Sequence, residues 1–424
     1  MTLILKDATY IDPLTFDFNK CNIFVEEGNN GNILLRKSLN LNRSKKHKII
    51  DCSGKFVTKS FVCGHHHIYS ALSRGMPPPP KIPKNFFETL KYIWWNLDRK
   101  LDKEMIQASA LITGMFAVKN GITFIIDHHS SPNSATDSLF IIAEALEKIG
   151  LSHSLCLELS NRDGRKALNN GIAETENYLK YNINALVGLH ASFTVGDDLL
   201  KKAVLLSEKY NSGIHVHCAE DKIDQRITTL KTGKKVVNRF FNSGALNFSK
   251  TILAHCIHID KEERKLLSKS KANIVINTES NMNNAVGTFT SKGLQERIFL
   301  GTDGIHSDML RSAKAAYFSG RLAENIEFEK PYNRLRYVHK YLNSNRFTGD
   351  GDNNLIILNY DSPTPVNKKN FLGHFYFGLE SRHIESVISN GKLIVHNKTL
   401  TNIDEKEILE ISYKTAQKLW KKLI

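Results

Sequence analysis

The chain predicts an α/β protein: a closed (β/α)8, TIM-like barrel carrying a small β-sandwich domain built from both chain termini. Three observations carry this reading. Strand-like and helix-like stretches alternate from residue 61 to about residue 325, the signature of a parallel sheet with crossover helices. Eight strand-like stretches fall in that run, which suits a closed barrel better than an open sheet. Short strand-like stretches separated by Gly and Asn turns stand at both ends of the 424 residues. The expected division is residues 1–57 and 346–424 for the sandwich, the latter with a terminal helix, and 58–345 for the barrel.

Taken in order, the N-terminal strands are expected at Leu3–Leu5, Asn22–Val25, Ile33–Leu35 and Ile49–Asp51, with Gly28-Asn29-Asn30-Gly31 as a turn cluster. The eight barrel strands are expected at Phe61–Cys63, Ile122–Asp127, Ser154–Leu159, Ala185–Leu189, Gly213–His217, Thr251–His255, Asn273–Asn277 and Ile298–Thr302. Between the fourth and fifth lies the clearest helix. Asp197 or Asp198 can cap it, Leu199, Leu200, Ala203, Val204 and Leu206 form its apolar face, and Gly213 follows its end. Residues 68–100 form an unusually long connection that contains Pro77-Pro78-Pro79-Pro80. Such loops serve as lids or binding loops. Phe86, Phe87, Trp94 and Trp95 follow the prolines, to wall a pocket or to dock the loop. Beyond residue 325, Leu355–Leu358, Phe371–Phe377 and Ser386–Val395 read as strands, with Asn390-Gly391 as a hairpin turn. Residues 404–424 read as a charged amphipathic helix.

Composition narrows the function. Hydrophobic content of 41% and charged content of 24% are ordinary for a globular protein. A formal charge of +15 raises a nucleic-acid reading. The Lys and Arg residues are scattered, however, and the densest run, Arg43, Lys45, Lys46 and Lys48, has no interleaved aromatics. A solvated basic surface is the expectation, with no nucleic-acid partner. The six cysteines include no Cys-x-x-Cys pair and several lie in apolar runs, as free thiols do in a reducing cytoplasm. The first residues are wrongly flanked for a signal peptide, and no run of about 18 apolar residues offers a membrane span. A cytoplasmic protein without membrane contact is expected. Motifs for a serine hydrolase, a phosphate loop or a dinucleotide site are absent, and Asp350–Asn354 reads as a turn rather than a calcium loop.

The chemistry gathers at predicted strand ends. The first barrel strand runs into Gly64-His65-His66-His67. Residues i and i+2 of a strand share a side, so His65 and His67 form a two-nitrogen grip on a metal, while His66 points away. Imidazole suits Zn²⁺ or Fe²⁺. The fifth strand ends in His215-Val216-His217-Cys218-Ala219-Glu220. His217 is the expected third ligand, His215 lies deeper, and Glu220 falls just past the strand, free to reach a substrate. The fourth strand ends at His190, the sixth at His255 and the last at Thr302-Asp303-Gly304. Each residue alone has a structural explanation as a hydrogen-bonder or turn former. Five strand ends supplying metal-compatible or acid–base groups on the face where barrel active sites lie point to a metal site.

The pattern His-x-His, His-x-x-Glu, His and Thr-Asp-Gly resembles the amidohydrolase superfamily in its mononuclear deaminase and chlorohydrolase branch. More narrowly, His65–Met76, Ile93–Leu101, Ile126–Pro132, Ala219–Asp221, Ser280–Gly287, Leu300–Met309 and Tyr360–Pro365 resemble SsnA-type aminohydrolases. The resemblance implies the barrel-and-sandwich fold. It also implies one divalent metal ion per chain, Zn²⁺ or Fe²⁺, on residues matching His65, His67, His217 and Asp303. Ile276 and Glu279 stand where closer relatives would have His and Arg, and Gly351–Leu355 departs from the usual hairpin. On this reading the chain is a metal-dependent aminohydrolase that attacks a C–N bond of a purine- or pyrimidine-like heterocycle and releases ammonia. Asp303 and Glu220 handle protons, His255 assists the attacking oxygen, and His190 binds substrate. The expected partners are the small heterocyclic substrate and a second copy in a homodimer. The alternatives are a chlorohydrolase, a binuclear cyclic-amide hydrolase, and a degenerate barrel or basic nucleic-acid-binding protein. The binuclear class needs a lysine at the end of the fourth strand, where this chain has His190.

Overall fold

This computed structural model describes residues 2–39 and 47–423; Arg43, Lys45 and Lys46 of the basic run lie outside them. The chain opens with β1 (Thr2–Ile11), β2 (Phe18–Val25), β3 (Ile33–Arg36), β4 (His47–Asp51) and β5 (Phe56–Lys59). Strand β1 pairs antiparallel with β2, while its other edge is shared between two parallel partners, β4 along Thr2–Lys6 and β5 at Thr9 and Tyr10. A bulge between Leu5 and Ala8 separates the two halves. Bulges bend a strand and increase its twist, which is how one strand serves both neighbours.

The barrel follows as β6 (Phe61–His66), β7 (Ile122–His129), β8 (Ser152–Leu159), β9 (Val187–Ala191), β10 (Ile214–Cys218), β11 (Ile252–His255), β12 (Asn273–Ile276) and β13 (Ile298–Leu300), paired in sequence order. These match the eight expected strands to within a few residues. The ring closes at the site itself. The backbone N–H groups of Thr302 and Asp303 both donate to the carbonyl of His65, at 3.0 and 3.1 Å. Inward-facing Val62, Phe124, Ile126, Val275 and Phe299 fill the barrel together with Val338, Tyr341 and Leu342 of the helix Glu329–Ser344. The barrel is thus a packed core, and its chemistry is confined to a rim.

The chain then returns to the first sheet as β14 (Leu355–Leu358), β15 (Ile384–Ser389), β16 (Lys392–His396) and β17 (Thr399–Leu400). Strand β14 pairs antiparallel with β5, so one nine-stranded sheet draws on both termini. Asn390-Gly391 makes the β15–β16 turn, with φ of 49° and 75°, the left-handed pair that a tight hairpin requires. The helix Glu405–Leu423 ends the described chain. No helix among the described residues is long and apolar enough to cross a membrane.

Four features differ from expectation. Phe371–Phe377 is a helix, not a strand. Its Phe371 and Phe375, four residues apart, share one face and pack on Tyr332, while Tyr376 packs on Phe328 and Tyr317. The helix Asp197–Lys209 is capped by Gly196 rather than by Asp197 or Asp198. Asp197 instead meets Arg239 at 2.7 Å, since that buried guanidinium needs a counter-charge. Strand β5 was not expected; a single residue, Ser60, separates it from β6. The connection 68–100 is not structureless either. It contains helical turns at Ile68–Ser73 and continuously from Phe86 to Lys100.

Candidate active site

Strand ends β6, β9, β10, β11 and β13 bring every expected site residue to one face of the barrel. The register of β6 shifts between Cys63 and His66, and His65 and His67 both turn inward, with ring centroids 4.8 Å apart. His66 points away and bonds Ser307 Oγ at 3.0 Å. Non-glycine residues rarely adopt positive φ. Here Ala219, His255, Cys256 and Asp303 all do, at 48°, 74°, 51° and 55°, so backbone strain concentrates where the side chains converge.

Tautomers can be assigned from the hydrogen bonds. His67 Nδ1 donates to the carbonyl of His128 at 2.7 Å, and His217 Nδ1 donates to the carbonyl of His190 at 2.8 Å. Both rings are buried, and burial holds both below the ordinary imidazole range. Their Nε2 atoms are therefore lone pairs, yet they face each other at 3.1 Å. Two acceptors at that distance repel unless a cation lies between them. His65 adds to this. Its Nδ1 bonds His215 Nε2 at 2.8 Å, and its own Nε2 is buried with no hydrogen-bond partner. Asp303 Oδ1 stands 3.2 Å from His67 Nε2 and 3.9 Å from His65 Nε2. Three imidazole lone pairs and a carboxylate converging on one point form a donor set that fits a single divalent ion such as Zn²⁺. The hydrogen-bonded carbonyls behind His67 and His217 fix ring orientation, as partners of metal ligands do.

Two carboxylates flank this point, with His255 between them. His255 Nε2 lies 3.6 Å from both Glu220 Oε2 and Asp303 Oδ2. Its Nδ1 bonds Asn281 Oδ1 at 2.7 Å, so Asn281 sets the ring. Burial, and then the charge of Asp303, push the Glu220 carboxyl well above the usual range. Burial also acts against ionisation of Asp303, but His67 and His255 outweigh it and hold its carboxyl low. The two neighbouring carboxyls are thus pushed in opposite directions, Glu220 toward its protonated form and Asp303 toward its ionised form. His190 lines the same cavity and bonds Thr194 Oγ1 through Nδ1 at 2.7 Å.

The lid helices complete the cavity. Phe86, Leu90, Trp94 and Trp95 line it, whereas Phe87 packs on Trp95 and Phe193. The aromatic run therefore both walls the pocket and docks the loop. The departures at 276 and 279 sit outside the cavity lining. Ile276 is buried in β12, and Glu279 pairs with His306 at 2.5 Å and Arg311 at 2.6 Å. A wall formed by Asp98 and Glu158, with Arg162 bonded to both, was not anticipated from sequence.

Residues 56–340 match the model of the amidohydrolase family. A 5-methylthioadenosine/S-adenosylhomocysteine deaminase of Syntrophomonas wolfei is 24% identical over 395 residues, covering 88% of each chain. A 5′-deoxyadenosine deaminase of Methanocaldococcus jannaschii is 22% identical over 391 residues, covering 86% of this chain and 89% of the relative. Among solved structures, an adenosine deaminase from Xanthomonas campestris with bound zinc superposes with a TM-score of 0.83 at 14% identity, over 98% of each chain. Guanine deaminase from E. coli superposes with a TM-score of 0.77 at 17% identity, over 93% of this chain and 99% of the other.

Proposed function

The chain belongs to the amidohydrolase family, and from that premise we propose that it is a mononuclear, metal-dependent deaminase of 6-aminopurine-type heterocycles. The observation that carries the reading is the meeting of the His67 and His217 lone pairs at 3.1 Å beside the Asp303 carboxylate. His65, His67, His217 and Asp303 would hold one divalent ion, Zn²⁺ or Fe²⁺. Bound there, such an ion would lower the pKa of water toward neutrality and so would supply hydroxide. Asp303, kept ionised, accepts the proton of the attacking water and later delivers it to the departing amine. Glu220, biased toward its protonated form by burial, donates to the ring nitrogen beside the attacked carbon and makes that carbon more electrophilic. His255, steered by Asn281, orients the attacking oxygen as charge develops. His190 holds the heterocycle against the aromatic lid. The products are ammonia and a ring carbonyl.

Divergent carboxyl affinities in neighbouring Glu220 and Asp303 support this division of roles. The names of the relatives, which are adenosine-type deaminases, support the purine class. We place the enzyme in the cytoplasm, where its six buried free cysteines stay reduced. A homodimer completes the reading, and the exposed Phe318, Leu322 and Phe377 give a second copy an apolar patch to cover. The test is ammonia release from adenosine, 5′-deoxyadenosine, guanine and a chlorotriazine by protein loaded with one equivalent of Zn²⁺ or Fe²⁺. Release from an aminopurine is expected. Chloride release alone would replace the deaminase with a chlorohydrolase.

A further inference from the structure

A second cavity lies at the end of the barrel opposite the catalytic rim, lined by residues of the first sheet and of the helix Glu329–Ser344. It encloses about 720 Å³, a volume typical of small-molecule sites. Asn333, Arg336, Tyr337 and Lys340 line it, spaced three and four residues apart on one helix face. Tyr10 of β1 and the β1–β2 turn at Pro13 and Leu14 also contribute.

Arg336 stands out in this wall. It is 5% exposed. Its Nε donates to the Tyr332 hydroxyl at 3.3 Å, and its Nη1 donates to the carbonyls of Lys59 and Ser60 at 3.2 and 2.8 Å. Its Nη2 has no partner among the described residues and is not sealed from the cavity. No described carboxylate pairs with this guanidinium; Asp350 in the same wall is held by Lys59 at 3.2 Å and His339 at 2.7 Å. A buried charge without a counter-charge is costly, and one whose free edge opens on a cavity marks where an anion belongs.

The surrounding charges agree. Lys59, Arg336 and Lys340 line the cavity against Asp350 and Asp352, three cations to two carboxylates. Burial holds His339 below the ordinary imidazole range, so it adds no charge. Behind the lining, Asp12 beside Tyr10 and Glu26 beside Asn32 are offset by Arg297 beside Tyr337 and Lys250 over Phe347. Lys340, one turn along the helix from Arg336, is exposed at the rim and has no ion pair among the described residues. The Tyr10 and Tyr337 hydroxyls have no hydrogen-bond partner there either. Burial raises both phenols, Tyr10 to about 12, so both stay protonated and can donate.

We propose that this cavity is a second ligand site that takes a small organic oxyanion, a phosphate ester or a carboxylate, with its charged oxygens on the free edge of Arg336 and on Lys340. Its occupancy needs neither the catalytic metal nor the deaminase chemistry.

The test is calorimetric titration of the metal-loaded, full-length protein with phenyl phosphate, benzoate and benzyl alcohol. At least one of the two anions should bind saturably and about ten-fold more tightly than the alcohol, as hydrogen bonds to a charged group allow. The tighter anion identifies the headgroup. Chelation of the catalytic metal should leave its affinity unchanged. Arg336→Gln should bring that affinity down to the level of the alcohol, with metal content unchanged. Lys340→Gln, at an exposed position, should weaken it about three-fold, the scale of an exposed charge pair. Should Arg336→Gln fail to fold, Lys340→Gln decides in its place. Equal binding or no binding of the three probes, binding that disappears with the metal, or a folded Arg336→Gln protein that binds as the wild type does overturns the site.

Discussion

Glu220 and Asp303 press on one imidazole from two sides, and the difference between them is environmental. Both are carboxylic acids of ordinary intrinsic acidity. Asp303 has His67 and His255 to stabilise its charge, while Glu220 has chiefly burial and a like charge against it. Replacing Glu220 by Gln keeps shape and hydrogen bonding but removes the transferable proton. Turnover should fall by about 10²–10⁴-fold with metal content intact, as checked by steady-state rates beside elemental analysis. Asp303→Asn should lower both metal content and rate. A Glu220→Gln enzyme with wild-type turnover would reduce Glu220 to a structural residue. These residues were legible in the sequence because a strand's period of two and a fixed offset past its end tie His65 to His67 and Glu220 to His217. Asp98, Glu158 and Arg162 were not legible. They come from the lid, the end of β8 and the loop after it, and only the closed barrel brings them together.

At the scale of elements, the junction of β6 with the segment after β13 is the tightest constraint on the site. A Cβ on Gly301 would lie 2.4 Å from Asn277 Oδ1 and 2.9 Å from His65 Cβ. Gly301→Ala should therefore cost about 1–3 kcal/mol of stability by overpacking and weaken metal retention, since it pushes the Asp303 segment off His65. Denaturant titration and metal analysis of the purified variant check both. A second junction ties sheet to barrel. Asp350 lies between Lys59 of β5, at 3.2 Å, and His339, at 2.7 Å. Burial opposes its ionisation, but His339 and Lys59 together hold its carboxyl below the ordinary 3.8. A depressed folded-state value means the stabilisation is present in full above pH 3.8 and is lost as pH falls below it through the folded value. Asp350→Asn should cost about 3–5 kcal/mol at pH 7, because it strands a buried charge, and should flatten the acid limb of a stability–pH curve. Elements were legible where periodicity was clean, as in all eight barrel strands. The helix Phe371–Phe377 was misread because four aromatics in seven residues carry strand propensity. Its aromatic partners lie elsewhere in the chain, and packing against them overrides the local preference.

For the molecule as a whole, the last helix supports the turn that follows the active-site histidines. Trp420 Nε1 donates to the carbonyl of Leu72 at 2.8 Å, in the helical turn Ile68–Ser73 that follows His67. Lys119–Glu405, Lys418–Glu104 and Lys422–Asp102 pairs bind the helix to its neighbours; exposed pairs such as the last two contribute little. Trp420→Phe should cost about 1 kcal/mol through the lost hydrogen bond and raise KM by loosening the turn that carries Tyr69 and Ser70 into the cavity wall. Unfolding curves and Michaelis kinetics on one preparation separate the two effects, and a variant unchanged in both removes the helix from the site's support. The union of both termini in one sheet was legible from short strands at each end. The division of β1 between β4 and β5 was not, because it depends on a bulge that no residue spacing announces.

The pairing of β5 with β14 has a consequence for how the protein is made. About 300 residues separate the two strands along the chain. A ribosome adding about 5–20 residues per second emits β5 some 15–60 s before its partner exists. Through that interval the barrel can begin to assemble, but the first sheet waits with an open apolar edge at Phe56 and Val57. Such an edge is a template for pairing with another nascent chain. Cell yield should therefore depend on translation speed, temperature and chaperone supply more than the stability of the finished molecule suggests, and a chain released before residue 355 leaves the ribosome with that edge unpaired.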